Sequence, residues 1–449
     1  MSVHKYSKLF GCNVHDSIRV SPLALCIINT PEFQRLKNIK QLGLCSMVFS
    51  SATHTRFEHS IGVYYLAGKM LEKIQNLYPD IEYDIPELSS KKIKLTEKII
   101  ECIKIAGLCH DIGHGPFSHI FDDVLLGNID HFNKHHEQRS CLITEIICQR
   151  ELMNELSVQE IKFIQSIINP SVHNNGVIYQ IISNEFNGID VDKFDYLARD
   201  SKNLGIGIEF NANRLINEFI IDNNGNIAYP KHCSSDIYKL FHSRYIMHKT
   251  VYTHKTVKLL EMMLKDIFIL IDPIFKISDN IKNMQDFCKL TDNSIFEMLN
   301  ITINTPSYFK INLTNEQYTI INKANTIYQN IISRKLYKQI MELSEEENGF
   351  ERLCKIIDYL MIKYPEFDKN NFGIFKTVRG FVSGSKKNPF EDIYFYDKKE
   401  ENTTFTIDKS HFSGLLNNKI QEIYWHLYCK DIYSFKKCME IHNELKKII

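Results

Sequence analysis

The chain has 449 residues, 54 of them Lys or Arg and 54 Asp or Glu, so its formal net charge is zero. With 44% hydrophobic and 24% charged residues the composition is that of a globular protein, which excludes wholesale disorder. The neutral balance also excludes a bulk electrostatic pull toward nucleic acid or anionic membrane, leaving only local basic pockets for small anions.

At roughly 150 residues per domain, this length suits two or three domains, or one large domain with an appendage. The stretch from Met1 to Phe10 carries His4, Lys5 and Lys8 and no apolar region, so no secretory signal is visible. No apolar run approaches the ~20 residues of a membrane span. The best candidate, Ile267 to Ile271, is stopped by Asp266, Asp272 and Pro273. The 12 cysteines are scattered without a C-x-x-C pair, which argues against finger-type zinc. It argues instead for reduced thiols in a cytoplasmic or nuclear compartment. The sequons at Asn300, Asn312 and Asn402 are then chance matches.

Helical signals dominate in chain order. Val63, Leu66, Ala67, Met70, Leu71 and Ile74 fall on one face of a helix expected over 62–78. Residues 97–109 are apolar nearly all round, the pattern of a buried helix. Helices are also expected over 254–271 and 430–448. Strand signals are few and late: residues 392–397 and 403–407 read as a hairpin joined by the charged stretch Lys398 to Asn402. The charged segment Ser344 to Gly349 reads as a hinge. The expected architecture is mainly α, with a large helical core over 1–345 and a smaller mixed α+β lobe over 346–449.

Histidines cluster. Eight of the 18 lie between His54 and His136, where uniform scatter would place about three. Among them is Cys109-His110-Asp111-Ile112-Gly113-His114-Gly115-Pro116-Phe117-Ser118-His119. His110 and Asp111 end the apolar helix, and Gly113, Gly115 and Pro116 break it. An adjacent His-Asp at a helix end can aim both side chains at one point, and imidazole with carboxylate suits a catalytic Mn, Fe, Zn or Mg ion. Two protein ligands under-fill such a site, so others must come from elsewhere. One candidate is His59, in HTRFEHS (54–60), at the start of an amphipathic helix. The other is Asp192, in NGIDVDKFDYLARD (187–200). On a helix Asp192, Tyr196 and Arg199 share one face, and Lys193, Tyr196 and Asp200 a neighbouring one. Alone, an HD dipeptide or a single His59 would be read as structural. The combination with buried flanking helices points to a metal site.

These blocks carry the signature of the HD phosphohydrolase superfamily. NTPEFQRLKNIKQLG (29–43), HTRFEHSIGVYYLAG (54–68), IAGLCHDIGHGPFSH (105–119), HEQRS (136–140) and the 187–200 block resemble the SAM-and-HD-domain deoxynucleoside triphosphate triphosphohydrolases. LGIG, FHSR, TVYTHK, KLTDNSIFEML (289–299) and NPFEDIYFY (388–396) continue the resemblance, which runs from about Lys8 to near Cys429. The chain begins almost at the catalytic core, so no SAM domain and no partner recruitment by one is expected.

The resemblance implies a helical core with a small mixed lobe, and one or two divalent metal ions (Fe, Zn, Mn or Mg) held by His59, His110, Asp111 and Asp192. It implies further Mg carried with the nucleotide. The implied reaction is attack of water on the α-phosphorus of a dNTP, giving a deoxynucleoside and inorganic triphosphate and so regulating the dNTP pool. His114, His119, Asp122 and His136 match the family's catalytic residues. Arg56, Lys193 and Arg244 match contacts to the triphosphate, Tyr196, Asp200 and Tyr252 those around the sugar, and Gln41 and Leu42 positions near the base. Thr253 stands where the family has Gln.

The family is activated by guanine nucleotide and dNTP at paired sites that build a tetramer, so a homo-oligomer, dimer or tetramer, is expected. Lys8, Leu9, Gln34 and Lys37 fit the first site, but Asn29 stands where the family reads guanine with Asp, and Lys37 where it has Arg. An amide offers one acceptor where a carboxylate accepts from both guanine N–H groups. Val48, Phe49, Arg214, His254, Lys255 and Lys398 fit the second site, while Pro230, His232 and Thr250 replace cationic residues. Altered or absent GTP-specific activation is therefore expected. The rival readings are another HD nucleotide phosphohydrolase or phosphodiesterase, and a nucleic-acid-binding protein on the same fold.

Overall fold

A computed structural model describes residues 6–127, 129–171, 176–208, 210–304, 313–344, 348–381, 388–408, 411–412 and 421–448. The chain forms two compact units. The first comprises Met1–Ser243, Ile277–Ile295 and Lys387–Leu416, and the second Arg244–Lys276, Phe296–Lys386 and Asn417–Ile449. The boundary expected between 345 and 346, with half of the expected hinge, lies outside the described residues.

The first unit is built around helix Arg56–Leu77, the axis of its core. Its N-terminus is fixed by a capping box, in which the Glu58 carboxylate accepts the Thr55 N–H at 3.0 Å. Val63, Leu66, Ala67, Met70, Leu71 and Ile74 are buried, as the periodicity indicates, but the helix starts six residues before the expected 62. The first turns lack that periodicity because they bury Arg56, His59 and Ser60 beside Phe57 and Ile61. Helix Glu97–Cys109 matches its expected bounds, is capped by Thr96 and buries Cys102, Ile103, Ile105, Ala106 and Leu108. Helices His136–Glu151, Val158–Ile168 and Val191–Leu204 complete the frame.

Strands are not all late. Lys8–Cys12 and Asp16–Val20 form an antiparallel hairpin with Lys8 opposite Val20, burying Ile18 and Val20. Two buried side chains were too few to stand out as alternation. The expected late hairpin is Tyr394–Asp397 with Glu400–Phe405. It pairs in parallel with Ile227–Pro230, itself antiparallel to Ile220–Ile221, giving a four-stranded sheet inside the first unit.

The second unit packs helix Lys255–Phe275 against Asn315–Ile332. Its sheet is antiparallel, with Gln421–Cys429 between Lys338–Ser344 and Phe372–Gly380. Leu353, Ile356 and Leu360 of helix Gly349–Lys363 share a core with Leu427, Cys438 and Leu445. The helix expected over 430–448 is two, Ile432–Glu440 and His442–Ile448, which part at Ile441. The protein is mainly helical with small sheets, and no helix among the described residues is long and apolar enough to cross a membrane.

One close approach decides how the first unit assembles. A Cβ at Gly62 would stand 1.9 Å from Asp195 Oδ1 and 2.6 Å from Arg199 Nη2, so only glycine lets helix Val191–Leu204 dock on helix Arg56–Leu77. Two buried, ion-paired side chains cannot retreat as a flexible surface group would. Gly62→Ala is therefore expected to cost about 3 kcal/mol or more, read as a lower urea midpoint. An unchanged midpoint would remove this account of the packing.

Candidate metal centre

Three helices bring the sequence-expected ligands together. Helix Glu97–Cys109 ends at His110, whose Nδ1 lies 2.8 Å from the Gly107 carbonyl. His59 sits in the first turn of helix Arg56–Leu77, its Nδ1 2.8 Å from Asp195 Oδ2. Asp192 sits in the first turn of helix Val191–Leu204, which Asp190 caps by accepting the Lys193 N–H at 2.8 Å. His59 Nε2 lies 2.9 Å from Asp192 Oδ1 and 3.5 Å from Asp111 Oδ2. His110 Nε2 lies 3.4 Å from Asp192 Oδ1 and 3.5 Å from Asp111 Oδ1. The Asp192 side chain is 35% exposed, so this flank is open to solvent, while His59 is fully buried.

The donor set fits a divalent cation. A carboxylate and a carbonyl can only accept, so His59 Nδ1 and His110 Nδ1 both carry the proton, and each Nε2 directs a lone pair at the carboxylates. Both Nε2 atoms are buried without a hydrogen-bond partner. Lone pairs facing carboxylate oxygens repel unless positive charge lies between them. The same demand appears in the proton affinities. Burial disfavours the His59 imidazolium, yet Asp192 and Asp195 outweigh it and lift its pKa to about 10. Burial likewise opposes charge on His110, and Asp111 and Asp192 overcome it and raise its pKa. Asp111 is pushed up by burial but held well below the usual carboxylate range by Arg56, His110 and His114.

A second layer fixes the ligands, and sequence reading assigned it no role. Asp195, fully buried, accepts from His59 Nδ1, from His15 Nε2 at 2.7 Å and from Arg199 Nε at 2.8 Å. Burial pushes its carboxyl up, but Arg199, His15 and His59 hold it well below the ordinary range. The i, i+4 spacing of Asp195 and Arg199 was visible in the sequence; the His15 partnership across 180 residues was not.

On the other side of Asp111 lie the residues expected to be catalytic. Arg56 pairs with Asp111 Oδ2 and donates from Nε to Ser118 Oγ at 2.9 Å. His114 Nε2 is 3.2 Å from Asp111 Oδ1. The His114 and His136 rings stack with centroids 3.9 Å apart, and the His119 ring meets His114 edge-on at 5.2 Å. His136 Nδ1 lies 3.2 Å from Asp122 Oδ2, while Arg139 pairs with the other Asp122 oxygen. Burial, then Arg56 and His136, hold His114 well below the usual histidine range. The protein crowded around the solvent-reaching His119, then Arg56 and His136, hold its pKa down to about 4. Asp111, His114 and His136 form a second group with metal-ligand spacing.

The residues expected to meet substrate fall in both units. Gln41 is partly buried with Oε1 unpartnered, and its N–H donates to the His54 carbonyl at 3.0 Å. Leu42 precedes the short helix Gly43–Met47. Asp200 accepts from His54 Nε2 at 2.7 Å, a partnership no sequence signal marked. Lys193 Nζ donates to the Gly188 carbonyl at 2.6 Å, and Tyr196 is partly exposed on the same helix. Arg244 and Tyr252 belong to the second unit, where Arg244 Nη1 donates to the Gly380 carbonyl at 2.5 Å and Tyr252 meets His248 edge-on at 4.9 Å.

Of the residues expected at regulatory sites, exposed Lys8 and Leu9 lie on the first strand and exposed Asn29 ends helix Pro22–Ile28. Gln34 donates to the Ile28 carbonyl at 2.7 Å and accepts from Lys37 Nζ at 2.7 Å. Val48 and Phe49 are partly exposed, and Arg214 lies 3.2 Å from Asp236. His254 caps helix Lys255–Phe275 in the second unit, and Lys255 opens that helix.

A His–His–Asp–Asp set at a helix break, with partners fixing each imidazole, defines an HD-domain protein. The family model described as HD domain matches residues 56–185. The chain is 66% identical to a putative HD domain-containing protein, L394, of Acanthamoeba polyphaga mimivirus over 96% of its own length and 94% of that protein's. It is 33% identical to the deoxynucleoside triphosphate triphosphohydrolase SAMHD1 homolog of Dictyostelium discoideum over 100% and 82% of the two chains. It is 31% identical to deoxynucleoside triphosphate triphosphohydrolase SAMHD1 of Homo sapiens over 95% and 71%. The chain belongs to this SAMHD1 family of HD-domain hydrolases, as its motifs indicated.

Metal analysis tests the site. Asp195→Asn should weaken divalent-metal affinity by about 10- to 100-fold with helicity retained, and metal titration that leaves the affinity untouched would remove the second layer from the account. Because both raised histidines must lose protons to bind, affinity should tighten as pH rises. Isothermal titration in buffers of differing ionisation enthalpy reads the protons released, and none released would contradict this.

Proposed function

We propose that the chain is a metal-dependent dNTP triphosphohydrolase, releasing a deoxynucleoside and inorganic triphosphate and so lowering dNTP levels. The observation that carries the reading is the convergence of His59, His110, Asp111 and Asp192 beside Arg56 and the His114–His119–His136 cluster. The activity for which the Dictyostelium and human relatives are named supports the choice of reaction. When bound, a divalent cation at these ligands polarises a phosphoryl oxygen and acidifies water. Fe, Zn, Mn and Mg all suit imidazole and carboxylate donors to differing degrees.

The chain's own residues supply the rest. Arg56, braced by Ser118, offers guanidinium N–H groups to the triphosphate, and Lys193 adds a point charge. An alkoxide leaves poorly, so the 5′-oxygen needs a proton, which His119 delivers. Its pKa near 4 rises when the triphosphate brings negative charge opposite it. Asp122, ionised by Arg139 and His136, orients the His136 ring that stacks on His114. Tyr196, Asp200, Gln41 and Leu42 serve the sugar and base.

Incubation with the four dNTPs and Mg or Mn, followed by product separation, should give triphosphate and deoxynucleoside. Pyrophosphate with monophosphate would instead favour another HD phosphohydrolase chemistry. His110→Ala with Asp111→Ala should abolish turnover, and persistent activity would end the mechanism.

Activation is read from Asn29. An exposed amide at a position where the family uses a carboxylate should not select guanine, so hydrolysis is expected without a specific need for GTP. An activator titration with strict GTP dependence and ordinary affinity would overturn this. The same titration, followed by light scattering, reads whether nucleotide drives assembly to a dimer or tetramer.

A further inference from the structure

The loop between the HD pair and His119 is strained. Phe117 and Ser118 both lie in the left-handed region, at φ 60° and 59°, although neither is glycine. Such a conformation is uncommon for any residue with a side chain and an outlier for a bulky one, and it persists only where surrounding structure enforces it. Both side chains are buried, and His119 follows at once.

The enforcing group comes from far along the chain. Asp292, 5% exposed, accepts the Phe117 N–H through Oδ1 at 2.6 Å and the Lys40 N–H through Oδ2 at 2.9 Å. It lies within KLTDNSIFEML, a block to which the reaction assigns no role. Ser118 Oγ ties the same segments, donating to the Lys40 carbonyl at 3.2 Å and accepting from Arg56 Nε at 2.9 Å. Gly43 admits the Phe117 carbonyl, which would lie 3.3 Å from a Cβ there. One buried carboxylate thus joins the strained turn that presents His119 to the residue preceding Gln41 and Leu42.

We propose that Asp292 is a positioning residue for His119, its carboxylate holding the Phe117–Ser118 turn in the left-handed form that aims the imidazole at the reacting phosphate. The carboxylate is suited to this because both oxygens accept. In Asp292→Asn, one side of the amide presents N–H to a backbone N–H, so one of the two tethers must break. The proposal rests on the dNTP-hydrolase reading for its kinetic consequence and on the turn alone for its structural one.

The test is a double-mutant cycle read with hydrogen exchange on the full chain. Asp292→Asn should lower kcat by about 100-fold, with bound metal, measured by plasma mass spectrometry, unchanged. In a His119→Ala background the same substitution should cost little more, since its effect passes through that imidazole. Exchange should rise at the amide of Phe117 or of Lys40, whichever faces the new amide nitrogen, and stay unchanged in helix Arg56–Leu77. Additive losses in the cycle, or metal lost in parallel with activity, would assign Asp292 a general structural role and overturn the proposal. Unchanged protection at both Phe117 and Lys40 would overturn it too, whatever the activity. A wild-type chain that hydrolyses no dNTP would defeat the functional reading, and the exchange data would still decide whether Asp292 holds the turn.

Discussion

The structure of the first unit depends on bringing buried carboxylates and imidazoles to one point without leaving their charge unbalanced. Burying an isolated carboxylate is costly, and each must find a partner or a proton. Asp195 illustrates how this is met. It sits wholly inside, yet His59, His15 and Arg199 surround it. That arrangement requires helix Val191–Leu204 to press against helix Arg56–Leu77, which requires Gly62. The packing of two helices and the tautomer of one metal-site histidine are therefore a single constraint.

The HD pair was legible because its signal is local: an apolar helix, two ligand-type residues, then glycines and a proline that end it. His59 and Asp192 were read from the blocks HTRFEHS (54–60) and NGIDVDKFDYLARD (187–200), and in the structure each lies in the first turn of a helix. Asp195, His15, His54 and Asp292 were not legible, since their roles arise from contacts 136, 180, 146 and 175 residues apart in sequence. Periodicity records which face of one element is buried and says nothing of what meets it. This is why helix Arg56–Leu77 was expected to begin late: its first turns bury polar side chains whose partners are remote.

The N-terminal hairpin shows the same limit in a strand. Its alternation is real, with Ile18 and Val20 buried, but the partner strand Lys8–Cys12 is mostly exposed and gives no periodic signal of its own. The turn between them nevertheless delivers His15 to Asp195. The late hairpin was legible as a local pattern, while its parallel pairing with Ile227–Pro230, which draws it into the first unit, is a long-range outcome.

The charge pattern around the ligands argues independently for a cation. Three carboxylates near the centre each have an arginine: Asp111 with Arg56, Asp195 with Arg199, and Asp122 with Arg139. Asp192 shows no Lys or Arg ion pair among the described residues; it faces His59 and His110, whose protonated nitrogens point elsewhere. A fourth arginine would neutralise Asp192 but would fill the point where the two imidazole lone pairs meet. The partner that satisfies both the carboxylate and those lone pairs must be positive and must accept electron pairs. Without a metal, one proton on each Nε2 meets the demand, which is why the His59 pKa is lifted to about 10 and that of His110 is raised. A divalent ion meets all of these demands together, and Asp192, on the open flank, leaves it reachable from solvent.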